Sequence, residues 1–189
     1  MNNLAAYLRM TGNLVQAKEL AEQGLSTRLR VLGERHESTA FSRATLARIL
    51  YEQGEHAQAQ PLVELVLASR QESLGPQHPD TLRTMLLLAS TLRAQDDLAG
   101  ARNLQEQALV ATESTQCAGH FIPLEVMYEL ATTLCLQRNL VEASGLLEQA
   151  LHVATKQLGE QHKLTLKIIK KLALIQDSKE HAPENYLIP

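Results

Sequence analysis

The sequence predicts an all-α fold, a solenoid of helical hairpins. Three observations point to it. The composition is dominated by Leu, Ala, Gln and Glu, while aromatics make up 3% and Trp is absent; the abundant types are small or straight-chain residues that lose little freedom in a helix. The histidines His36, His78, His120 and His162 follow one another at a constant step of 42 residues (78-36, 120-78, 162-120). The same register joins Ala17, Ala59, Ala101 and Ala143, then Ala5, Ala47, Ala89, Ala131 and Ala173, and then Leu25, Leu67, Leu109 and Leu151. A fixed period of this length identifies a repeat array in which each unit buries its apolar face against its neighbours.

Taken in order, the elements follow from apolar spacing and turn residues. Within one unit Leu46, Ala47 and Leu50, then Ala59, Leu62, Val63, Val66 and Leu67 recur at helical spacing, so each unit is two amphipathic helices. Helices are expected at about 2–11 and 14–31, broken at Gly12, where glycine accepts a left-handed helix end. The pair 38–53 and 56–73 is broken at Gly54 in the same way. The stretch GPQHPDT at 75–81 starts the next unit, with Pro79 suited to a first helical turn and Asp80 opposing the positive end of the dipole. Helices at 80–95 and 98–115 turn at Asp96-Asp97, and those at 122–137 and 140–157 turn at Arg138-Asn139. A last helix covers 163–177. Gly33, Gly75 and Gly159 share one register position between units, and Cys117 takes the fourth slot.

The array therefore spans 1–177: a truncated unit at about 1–35, full units at 36–77, 78–119 and 120–161, and a capping helix at 162–177. The start of the first unit's first helix would precede Met1, so the chain is either an excerpt of a longer protein or begins with a shortened cap. The last helix carries Lys163, Lys167, Lys170 and Lys171 beside Ile168, Ile169 and Leu172, as a solenoid cap with a wetted outer side would. Residues 178–189 read as a polar tail or linker.

Charge and cysteine content exclude several function classes. With 18 Lys+Arg against 21 Asp+Glu the net charge is -3, which offers no field for nucleic acid or an anionic membrane. The longest apolar run, Met85 to Ala89, is far short of the roughly 20 residues a bilayer-spanning helix needs. Cys117 and Cys135 are two lone thiols without metal or redox spacing. A soluble cytoplasmic protein is expected. The four periodic histidines sit in equivalent loops about 8 to 10 Å apart by helix packing, too far for one zinc ion, so a loop or helix-cap role is expected and no metal site. His56, His152 and His181 read as surface residues. No phosphate loop, HExxH, GxSxG or CxxC occurs, so neither catalysis nor a cofactor is expected.

The words NNLAAYLRMTGNLVQAKEL at 2–20 and LGPQHPDTL at 74–82 resemble the tetratricopeptide repeat, in the 42-residue form of kinesin light chains and of arrays attached to nucleotide-binding signalling proteins. The common repeat is 34 residues, and eight more add about two helical turns. The resemblance implies a right-handed superhelix whose first helices line a groove for a partner peptide. It places Asn2 and Arg9, then Phe41, Arg48 and Tyr51, then Arg83, Leu86 and Arg93, then Tyr128, and finally Lys167 and Lys170 on that lining. Six cations there (Arg9, Arg48, Arg83, Arg93, Lys167, Lys170) against Glu52, Glu125 and Asp177 make a local +3 in a chain of net -3. An acidic peptide with an apolar anchor fits such a lining; the other expectation is a sensor or regulatory region of a larger signalling NTPase or effector protein. The paired asparagines of kinesin light chains remain only as Asn2-Asn3, with Ala44-Thr45, Leu86-Leu87 and Tyr128-Glu129 at the later positions.

Overall fold

The computed structural model describes residues 2–113 and 121–180. Among them are nine α-helices and no strand: α1 (Asn2–Met10), α2 (Leu14–Leu32), α3 (Glu37–Glu52), α4 (His56–Ser73), α5 (Pro79–Ala94), α6 (Leu98–Glu113), α7 (Ile122–Leu136), α8 (Leu140–Leu158) and α9 (Lys163–Glu180). The ends match the periodicity within about two residues except for α9, which continues to Glu180. Residues 178–180 are thus helical rather than tail, because Ser, Lys and Glu can all extend a helix and no breaker precedes Pro183. The remainder, 181–189, lies outside the described residues, as do Cys117 and His120.

The hairpin turns repeat one geometry. Gly12, Gly54, Asp96 and Arg138 all have left-handed φ, +83°, +81°, +66° and +64°. The next residue's N–H bonds back five positions, Asn13 to Leu8, Glu55 to Leu50, Asp97 to Leu92 and Asn139 to Leu134, each at 2.9 Å. This satisfies carbonyls that the helix end would otherwise orphan. The register dictates the turn even where glycine is missing.

Between hairpins the chain uses glycine for a stricter reason. Gly33 has φ 80° and ψ 177°, and Gly159 φ 84° and ψ 165°, a region that a Cβ closes. The following helix is then capped by histidine. Nδ1 of His36 accepts from the Ser38 N–H at 3.1 Å, that of His78 from Asp80 at 3.1 Å, and that of His162 from Leu164 at 3.2 Å. Of the periodic histidines, His36, His78 and His162 are helix caps, as their spacing in separate loops implies.

Two compact units form, Met1–His120 and Phe121–Pro189. In the first, α1 to α6 pack in consecutive pairs, and α1, α3 and α5 also touch in that order. In the second, α7, α8 and α9 all touch one another. Ala5, Ala47, Ala89 and Ala131, like Ala17, Ala59, Ala101 and Ala143, are fully buried, which lets helix backbones approach closely. The ends differ from the middle. Leu4 and Tyr7 on α1 are 52% and 62% exposed, although their register mates Leu46 and Ile49 are buried. At the other end Ala173, Leu166 and Ile169 are exposed, so the outer side of α9 is more apolar than a wetted cap.

Candidate functional site

In the first unit, the lining rests on α1, α3 and α5. Phe41, Arg48 and Tyr51 fall on one face of α3 through their spacing. Phe41 is exposed, and the half-buried Tyr51 ring lies 5.1 Å from that of His56. His56 is therefore half-buried rather than a surface residue, and its Nδ1 is buried without a hydrogen-bond partner. Arg9 reaches from α1 to pair with Glu52 of α3. That pair ties two consecutive first helices and neutralises one cation and one anion of the lining.

The charge that remains gathers around Arg48. Its guanidinium lines a recess of about 20 Å³ together with Ala44, Val63, Val66, Arg70, Arg83, Thr84 and Leu87. Desolvation by the surrounding protein lowers its pKa, Arg9 adds to this, Glu52 opposes, and Arg70 and Arg83 push down further. Arg70 is likewise lowered by desolvation, against Asp80 and Glu37 and in concert with Arg83. Guanidinium groups hold their proton regardless, so each would be relieved by an added anion. Arg83 meets Asp80 at 3.5 Å, both half open to water, a pair of small worth.

Arg70 is the residue that the lining expectation missed. It sits in the last turn of α4, where its Nη1 donates to the Asp80 carbonyl at 3.0 Å and to Thr84 Oγ1 at 2.7 Å. One repeat earlier, Arg28 donates to the Ser38 carbonyl and Ser42 Oγ in the same way. The 42-residue step from Arg28 to Arg70 was the available signal. Leu86 needs correction: only 9% of it is exposed, so it is core, and Leu87 provides the apolar wall of the recess. The two differ by one helical step of 100°, which carries a side chain from groove to core. Arg93 is half-buried on α5, and Asn2 opens α1.

In the second unit, Tyr128 is half-buried on α7, whereas Lys167 and Lys170 are exposed on the neighbouring α9. Burial pushes the thiol pKa of Cys135 up, partly opposed by Lys171, so this cysteine is a poor nucleophile. The His162 ring lies 5.8 Å from that of Phe121, tilted by 52°, while capping α9. Among the described residues no three His, Cys, Asp or Glu side chains form a metal-binding group, and no helix is long and apolar enough to cross a membrane.

Comparison with known proteins agrees with this arrangement. Tetratricopeptide-repeat models match residues 1–72, 46–114 and 124–162. Two crystal structures of the nearly identical TPR-like repeats of a Podosopora anserina protein described as a kinesin light chain are similar to the chain at 28% identity. They superpose with TM-scores of 0.81 and 0.80, over 95% of this chain and 84% and 85% of theirs. BtubC (BKLC) of P. vanneervenii shares the fold at 15% identity, TM-score 0.62, over 100% of this chain and 66% of its own. Comparison with curated protein sequences finds no significant match. Paired helices at a 42-residue step, histidine-capped junctions and matched repeat models converge on one conclusion: the chain belongs to the tetratricopeptide-repeat family, in its kinesin-light-chain-like form, and is a protein-interaction scaffold.

Proposed function

We propose that the face formed by α1, α3 and α5 binds an acidic partner peptide with an apolar anchor, and that the protein is a non-catalytic cytoplasmic scaffold. The observation that supports this reading is the crowding of Arg48, Arg70 and Arg83 around one apolar recess, on the same helix face as exposed Phe41. A carboxylate placed there gains from several guanidiniums at once, while a leucine or aromatic side chain covers Phe41 and Leu87. Within the second unit taken by itself, Tyr128 on α7 and the exposed Lys167 and Lys170 on α9 would offer similar chemistry. Each exposed ion pair is worth about 0 to 1 kcal/mol, so the three guanidiniums add at most about 3 kcal/mol and the apolar anchor supplies the larger share of the affinity; the ionic share weakens as salt screens it.

The test is a fluorescence titration with an Asp/Glu-rich peptide carrying one leucine or tryptophan, against the same peptide with Asn/Gln replacing the acids. Binding that needs the acids and is abolished by Arg48→Glu with Arg83→Glu, at unchanged helicity, supports the proposal. Equal binding of the neutral peptide, or binding indifferent to the double substitution, rules it out.

A further inference from the structure

We infer that the recess walled by α3, α4 and α5 receives the phosphate of a phosphorylated serine or threonine in the partner peptide, an inference that rests on the acidic-peptide reading and narrows it. The repeat register separates the arginine that holds the fold from those that do not. Arg70 has a counterpart one repeat earlier in Arg28, and each braces the start of the following first helix through a backbone carbonyl and a hydroxyl. Arg48 and Arg83 have none: 42 residues earlier stand Ala6 and Phe41, and 42 residues later Ser90 and Glu125. The preceding junction is built without them, so what sets this one apart is two guanidiniums added beside a structural one.

The recess selects by size and by oxygen count. Its volume of about 20 Å³ holds roughly one water-sized atom, so it admits an oxyanion oxygen and no phenyl ring, which favours the short esters of serine and threonine. Ala44, Val63, Val66 and Leu87 wall it, and apolar surroundings strengthen a charge interaction. Arg70 is already oriented there: Nη1 is engaged by the Asp80 carbonyl at 3.0 Å and Thr84 Oγ1 at 2.7 Å, which leaves Nε and Nη2 to donate. Arg48 and Arg83 reach the same recess from α3 and α5. Three guanidiniums on three helices match the three terminal oxygens of a phosphate monoester better than the two oxygens of a carboxylate.

The acids of the chain leave this demand unmet. Glu52 acts on Arg48 but is paired with Arg9. Asp80 meets Arg83 at 3.5 Å with its side chain 47% exposed, and Glu37, which acts on Arg70, is exposed. Water weakens both contacts. A phosphate seated inside these rim carboxylates brings close to two charges to the guanidiniums, where a glutamate brings one.

Three peptides with the same acidic frame and leucine anchor test this, differing at one central position that carries phosphoserine, glutamate or glutamine. Titrated into the full chain at about pH 7.5, the phosphoserine peptide should bind about tenfold more tightly than the glutamate peptide, and the glutamate peptide more tightly than the glutamine one. At about pH 5.5 the phosphate, whose second pKa is about 6, regains a proton, so the preference should shrink. The charged groups around the recess, Arg9, Arg48, Arg70, Arg83, Glu37, Glu52 and Asp80, include no histidine, and the glutamate peptide should change little. Arg48→Gln with Arg83→Gln should erase the preference; both positions are exposed, and circular dichroism checks the fold. Phosphoserine binding no tighter than glutamate, with glutamate still preferred to glutamine, overturns the inference and leaves the acidic-peptide reading standing, whereas equal binding of all three overturns both. A preference that survives the double substitution, or tighter binding to phosphoinositide vesicles than to the phosphopeptide, overturns the inference as well.

Discussion

Ala89→Leu and Ala173→Leu add the same three carbons at the same position of two repeats, 84 residues apart. Ala89 is fully buried where α5 meets its neighbours, whereas Ala173 is exposed on α9. Leucine at 89 has no room, so either the helices part or the side chain leaves its preferred rotamer, at a cost of about 1 to 3 kcal/mol. Leucine at 173 meets solvent and changes stability by no more than about 0.5 kcal/mol. Intrinsic propensity is nearly the same for both residues in a helix, so it cancels in the comparison. With a urea dependence of about 2 kcal/mol/M, the buried substitution should lower the midpoint by roughly 1 M and the exposed one should leave it in place. Circular dichroism at 222 nm follows the whole chain, and hydrogen exchange in 79–113 localises the loss. Equal effects of the two substitutions would refute the register.

Other substitutions probe single contacts. His78→Ala removes the acceptor for the Asp80 N–H and should cost about 1 kcal/mol in thermal or urea unfolding, while His78→Asn, which keeps an acceptor, should retain most of the stability. Gly33→Ala, at φ 80° and ψ 177° with open space around the would-be Cβ, should cost about 1 to 3 kcal/mol through backbone strain alone; a neutral result would mean the junction bends freely. Gln105→Leu replaces a fully buried amide whose Oε1 and Nε2 have no hydrogen-bond partner, and should raise stability by about 1 to 3 kcal/mol. Because burial favours the neutral thiol of Cys135, iodoacetamide should modify it more slowly than a free cysteine at pH 8, in a Cys117→Ser background, and the rate should rise only at higher pH.

The fold was legible because one 42-residue period fixes many positions at once. It places hairpin turns at Asp96-Asp97 and Arg138-Asn139 where glycine is missing, and it puts His36, His78 and His162 at helix starts where they cap. The lining was legible to the level of helix face and no finer. Leu86 and Leu87 are adjacent and chemically identical, and only packing decides which is core. Arg70 lay outside the first-helix pattern, because the recess is walled partly by the end of a second helix. The Arg9–Glu52 pair joins residues 43 apart, which a list of single positions treats as independent charges. The exposed apolar residues of α9 were hidden by Lys163, Lys167, Lys170 and Lys171, since a lysine-rich helix reads as solvated until the buried stripe is located on it.

The central claim, that acidic peptides are held on the first-helix face of the first unit, is tested most directly by amide chemical-shift mapping on the intact protein. The account predicts that an Asp/Glu-rich peptide with a leucine anchor shifts resonances in α1, α3 and α5, centred on Arg48 and Arg83, and that the shifts vanish in Arg48→Glu with Arg83→Glu. Shifts confined to α2 and α4, away from Arg70, and unaffected by that double substitution would contradict it.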